Sequence, residues 1–262
     1  MQKGGNQDLI MKISTALTGN KKGLSSFTIR IVAMVFLVFT LLYETGLGAS
    51  WMSCSRWISY PIFAFLLQEG IQKTGDQMLY CRRLCLFTVI TEFCYNFLMV
   101  GRFINYRSRS IMTTLLIAYV CIMIIDFVRK KLDNLVVTLL VTLLMAWLGY
   151  LLSARLNSSF YQFGVPMAIV FYIASHISYP KLFEFIIYVA LVINLTARSM
   201  FTVTVGGLMY EIPVQAFALI ALIFIWLYNG ERGPNGLAAK ISFYLFCPAA
   251  MLIIGIIKLI VY

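Results

Sequence analysis

Apolar residues run along this chain in long stretches separated by short polar ones, at about 27–48, 57–71, 84–101, 111–128, 134–154, 160–178, 182–197, 212–228 and 241–261. Within the runs apolar and polar residues do not alternate. That disfavours lipid-facing strands and favours helices, whose backbone groups are satisfied internally. A span takes about 20 residues, so the pattern predicts an all-α, polytopic integral membrane helix bundle with about eight or nine transmembrane helices. The second and seventh runs are short, as in a tilted or re-entrant segment. Residues 1–26 are polar, and no apolar stretch there leads into a small-residue cleavage site, so they do not read as a signal peptide. Leu9, Ile10, Ile13 and Leu17 stand at helical spacing, which predicts a short interfacial helix over Asp8 to Leu17. The chain thus divides into a polar cytoplasmic segment, 1–26, and one transmembrane helical domain, 27–262.

Composition sharpens this picture. The chain is 61% hydrophobic and 12% charged with a mean hydropathy of +0.88, whereas a soluble chain carries about a quarter charged residues. Lipid must replace water around much of the surface, and a large soluble catalytic domain is excluded. The net charge of +11 comes from residues clustered between runs, not from a basic face interleaved with aromatics, so no nucleic-acid partner is expected. Alternating the runs places thirteen basic residues on the side of the amino terminus and seven opposite, which predicts a cytoplasmic N-terminus. The six cysteines lie mostly in apolar stretches and suggest no disulfide framework. Cys81 and Cys85 are one helical turn apart but lack further ligands, so no metal site is expected.

Charges inside apolar runs are costly and need a partner, a cavity or an interfacial position. They include Arg30, Glu44, Glu69, Glu92, Asp126 and Glu184, with Glu211 at the edge of the eighth run. Arg30 and Asp126 stand near run ends, where they can snorkel. Glu69 and Glu92 flank a connection carrying Lys73, Arg82 and Arg83. Either a buried ion pair fixes two helices, or a polar cavity opens to the cytoplasm and Arg82 and Arg83 hold an anion, phosphate above all. Carboxylates at Glu69 and Glu92 also suit a proton-coupled small-molecule transporter. His176, the single histidine, is a candidate general base or a structural interfacial residue.

Several motifs carry a family resemblance. RWISYPIFAFLLQEG from Arg56, RRLCLFTVITEFCYN from Arg82, TTLLIAYVCIMIID ending at Asp126, and LYNGERG from Leu227 followed by KISFYLFCPA from Lys240 resemble successive motifs of the TraX family, and LSSFTIRIVAMV from Leu24 fits its first helix. These are conjugation-associated bacterial membrane proteins linked to N-terminal acetylation of pilin. The resemblance implies a multi-pass protein of the bacterial cytoplasmic membrane that transfers an acetyl group from acetyl-CoA to a peptide amine, in pilin or another acceptor, or to a glycan hydroxyl. It implies that Arg82, Arg83 and Arg232 bind the donor, and that Arg56, Glu69, Glu92, Tyr95 and Asn96 line the acceptor cavity. The family's Asp-His pair in the first helix falls here at Thr40 and Leu41 or, with a short gap, at Tyr43 and Glu44. Its histidine in the closing helix falls near Cys247, Pro248, Ala249 and Ala250. Glu44 and His176 remain as catalytic candidates, beside a catalytically silent member that serves as a membrane subunit or partner in secretion or surface assembly.

Overall fold

The computed structural model describes residues 23–105, 109–157, 163–190, 200–205, 208–231, 233 and 237–261. Each of the nine apolar runs contains a helix among these residues: α1 Ser26–Glu44, α2 Ser55–Lys73, α3 Gln77–Val100, α4 Ile111–Leu132, α5 Leu135–Arg155, α6 Gly164–Ala174, α7 Pro180–Val189, α8 Ala218–Trp226 and α9 Leu237–Val261. The segment left without a run forms an antiparallel hairpin, β1 Met200–Val205 with β2 Leu208–Pro213, in the register Met200 opposite Pro213. The interfacial helix expected over Asp8 to Leu17 falls outside the described residues, as does Arg232.

The expected eight or nine transmembrane helices are not borne out. Among the described residues four helices, α1, α3, α4 and α5, are long and apolar enough to cross a membrane. With these the protein is a multi-pass integral membrane protein. The shortfall has two physical causes. At 1.5 Å per residue, α6, α7 and α8 rise roughly 14–17 Å, about half of a hydrocarbon core. And an apolar run marks burial without saying whether protein or lipid does the burying. In α6 nine of eleven residues are buried, so its run is a protein core. α2 is as long as α1 but carries Arg56, Gln68, Glu69 and Lys73, and eleven of its nineteen residues are buried between neighbouring helices. Lipid-facing surface lies elsewhere. α5 exposes Leu139, Leu140, Leu143 and Trp147, buries Thr142, Gly149 and Ser153, and packs on α4 and α6. A Cβ at Gly149 would stand 2.4 Å from Val165 Cγ1, so only glycine permits this approach.

Local chemistry sets the helix ends. Asp76 caps α3 by accepting from Leu79 N at 2.9 Å, and Asn134 caps α5 through Val136 N at 3.0 Å. Asp133, left-handed at φ 43°, ends α4, so Asp133 and Asn134 alone turn the chain between antiparallel helices. The start of α1, the end of α2, the start of α3 and the end of α4 share one face. It carries Lys73, Arg82, Arg83, Arg129, Lys130 and Lys131 and is called the basic face below.

Candidate functional site

A cleft of about 480 Å³ opens among α1, α2, α3 and α4. Along α3 its wall is built by Tyr80, Arg83, Phe87 and Thr91, a spacing of three or four residues that puts all four on one helical face. α2 contributes Phe63, Leu67, Glu69, Gly70 and Lys73, and α1 contributes Arg30 and Met34. Gly70 leaves room for Tyr80, since a Cβ there would lie 2.6 Å from the Tyr80 hydroxyl and displace that side chain. The cleft is polar and cationic near the basic face, with Arg30, Lys73 and Arg83 beside Glu69 and Asp76. Deeper, Met34, Phe63, Phe87, Met112 and Leu115 make it apolar. Arg83 has no ion-pair partner among the described residues, which leaves its guanidinium able to take an anion.

One wall is held by a polar latch. Glu69 is buried, and its Oε2 accepts from Ser26 Oγ at 2.9 Å. Its Oε1 accepts from Lys73 Nζ at 2.6 Å and from the Tyr228 hydroxyl. Lys73 Nζ also donates to Tyr228 Oη at 2.6 Å and to Gly230 O at 2.9 Å. Backbone bonds join the same segments, from Leu24 N to Leu227 O at 2.7 Å and from Ser26 N to Glu231 O at 2.9 Å. The segment from Leu227 to Glu231 is thus tied to the start of α1 and the end of α2.

The opposite face has a different polar group. Arg56 donates to Glu44 Oε1, and the Tyr95 hydroxyl donates to Glu44 Oε2 at 3.4 Å. With Thr40 and Ser59 they line a small cavity of about 10 Å³, room for about one water. Glu92 does not line the cleft that Glu69 lines. Glu92 Oε2 instead accepts from Ser110 N at 3.0 Å and from Thr113 Oγ1 at 2.8 Å, with Arg109 Nη1 at 3.3 Å from Oε1. It caps the amino end of α4, where a carboxylate is favoured by the free N–H groups and the helix dipole. Asn96 donates to Phe103 O at 3.3 Å.

His176 stands away from the cleft. Its Nδ1 lies 2.8 Å from Tyr172 O and 3.0 Å from Ser175 Oγ, while Tyr172 donates to Asp126 at 3.1 Å. Asp126 is further held by Arg129 at 3.2 Å and Lys130 at 2.5 Å. Of the sequence candidates, Glu69 and Arg83 line the cleft and Arg82 does not, although both arginines are exposed, and Arg56, Glu44 and Tyr95 meet at the far face. Arg30, Lys73, Thr91 and Tyr228 join the site from outside that set of candidates. Helical spacing alone places Arg83, and not Arg82, on the face of Tyr80, Phe87 and Thr91. The i, i+4 pair of Glu69 and Lys73 is equally visible in the sequence.

A family model described as TraX protein matches residues 25–258. No curated protein and no solved structure matches the chain.

Proposed function

The chain belongs to the TraX family, and on that premise we propose that its cleft takes acetyl-CoA as donor substrate from the cytoplasm, for acetyl transfer to a peptide amine or glycan hydroxyl. The observation that carries this reading is the cleft's polarity. Arg83 and Arg30, with Lys73, face the mouth, and an apolar channel leads inward. The donor has the matching order, with phosphates at one end, which guanidinium groups bind as forks, and a thin acyl-bearing arm at the other. The fit is supported by Arg83, which has no ion-pair partner, and by the buried Thr91 hydroxyl at the inner end, which has no hydrogen-bond partner, both among the described residues. On this reading the basic face is cytoplasmic, in keeping with the charge asymmetry.

In the transfer the acceptor's nitrogen or oxygen bonds to the thioester carbonyl carbon, the carbon–sulfur bond breaks, and CoA leaves as the thiol. What this chain supplies is binding and positioning. Arg83 and Arg30 hold the anionic end, and the walls of α2 and α3 exclude water from the arm.

A second reading, donor or partner binding without transfer, is favoured by one observation. The carboxylates of the cleft are already engaged, Glu69 by Ser26, Lys73 and Tyr228 and Asp76 by the amino end of α3. Mass spectrometry of cell-surface peptides and glycans separates the two readings. Transfer predicts a mass gain of one acetyl group that vanishes when the gene is deleted. An unchanged acetylation pattern contradicts transfer.

A further inference from the structure

The cleft and the small far-face cavity lie in register along the same helices. On α1 the cleft reaches Met34 and the small cavity begins at Leu37. On α2 the corresponding pair is Phe63 and Ser59, and on α3 it is Thr91 and Tyr95. α4 contributes the adjacent residues Met112 and Ile111. The partition between the two spaces is therefore about one helical turn thick, roughly 5 Å.

This partition is polar at one point. Thr40, Thr88 and Thr142 each donate their hydroxyl to the carbonyl one turn back, at 2.9, 2.8 and 2.7 Å. Thr91 does not, and its buried hydroxyl has no partner among the described residues, which is costly unless a polar group visits it. Among the described residues, the charged cover of the small cavity is the Glu44–Arg56 pair, joined by Tyr95. The Arg56 side chain is 26% exposed and Glu44 9%, so the pair sits between the cavity and the far surface.

We infer that α1–α4 enclose a two-sided site in which the second substrate, a nucleophilic amine or hydroxyl, enters from the far face past Glu44 and Arg56. It meets the donor's acyl carbonyl at the Thr91 partition, and so this inference rests on the donor reading of the cleft. The new bond forms from the acceptor atom to the carbonyl carbon. The carbon–sulfur bond breaks, and its electron pair with the acceptor's released proton gives the CoA thiol, which leaves by the basic face. The two substrates never share an entrance.

Cysteine accessibility tests the entrance without any donor. Thr40→Cys lines the small cavity, and Trp51→Cys, at a half-exposed position between α1 and α2, marks the far face. A membrane-impermeant methanethiosulfonate is applied separately to intact cells and to inverted vesicles, and labelling is read by peptide mass spectrometry against the wild-type background. Thr40→Cys is expected to react from the same side as Trp51→Cys. Adding Arg56→Ala or, as a near-isosteric second variant, Glu44→Gln should speed the reaction about tenfold, the equivalent of ~1.4 kcal/mol. Reaction only from the other side, or a rate that neither variant raises, overturns the entrance. A wild-type protein that fails to bind acetyl-CoA removes the donor reading by itself, while the labelling rates still decide whether the far face opens.

Discussion

Arg83→Ala is expected to abolish the thermal stabilisation that millimolar acetyl-CoA gives the purified protein, while Arg82→Ala leaves it intact. The two arginines are neighbours in sequence but stand about 100° apart around α3. Arg83 shares the cleft face with Tyr80, Phe87 and Thr91, and Arg82 does not line the cleft. Arg83 also has no direct ion-pair partner among the described residues, so a phosphate there gains charge-assisted hydrogen bonds without displacing one. Losing such bonds costs about 1.5–3 kcal/mol, or roughly ten- to a hundredfold in affinity. Both arginines are exposed, but Arg82, off the cleft, can contribute only screened attraction. A stabilisation that survives Arg83→Ala, or that disappears with Arg82→Ala alone, contradicts the assignment.

The largest effect on stability is expected at the latch. Glu69→Ala removes the acceptor for Ser26, Lys73 and Tyr228 together. Breaking one partner out of a buried pair costs about 3–5 kcal/mol. Because the Lys73 side chain is 32% exposed, solvent recovers part of this, and a loss of about 2–4 kcal/mol is expected. Glu69→Gln keeps a carbonyl oxygen for one of the donors and should lose less. Thermal unfolding in detergent measures both variants. Limited proteolysis should show cleavage near residues 227–231 in Glu69→Ala first, because that segment is tied to the rest through this carboxylate. Equal stability of Glu69→Ala and the wild type would mean that the network does not hold the cleft wall.

Hydrophobic patterning locates the nine helices of the described residues because backbone satisfaction and side-chain burial both demand a long apolar stretch. It overcounts the membrane crossings because α6 is apolar for a different reason, being enclosed by α4, α5, α2 and α7. Glu69 and Glu92 read as sharing one polar site because one short connection separates their helices. Glu69 lies near the end of α2, on the basic face, whereas Glu92 lies far enough along α3 to reach the start of α4. At 1.5 Å per residue, the step from Gln77 to Glu92 is already roughly 22 Å along the helix axis. The latch itself is not legible in the sequence. It joins Ser26, Glu69 and Tyr228, and nothing local in any of those three segments signals the other two. The hairpin Met200–Pro213 escapes the pattern for lack of an apolar run, although the Gly-Gly dipeptide at residues 206 and 207 is a hairpin signal.

Photo-crosslinking tests the central claim, that the cleft binds an acyl-CoA with its acyl end inward, most directly. An acyl-CoA carrying a small diazirine in the acyl group would be irradiated with the full-length protein in membranes and the crosslinked residues mapped by mass spectrometry. The account predicts crosslinks on α2 near Phe63 and Leu67 and on α3 near Phe87 and Thr91, all suppressed by excess acetyl-CoA. Crosslinks confined to the surroundings of His176, or unaffected by acetyl-CoA, would contradict it.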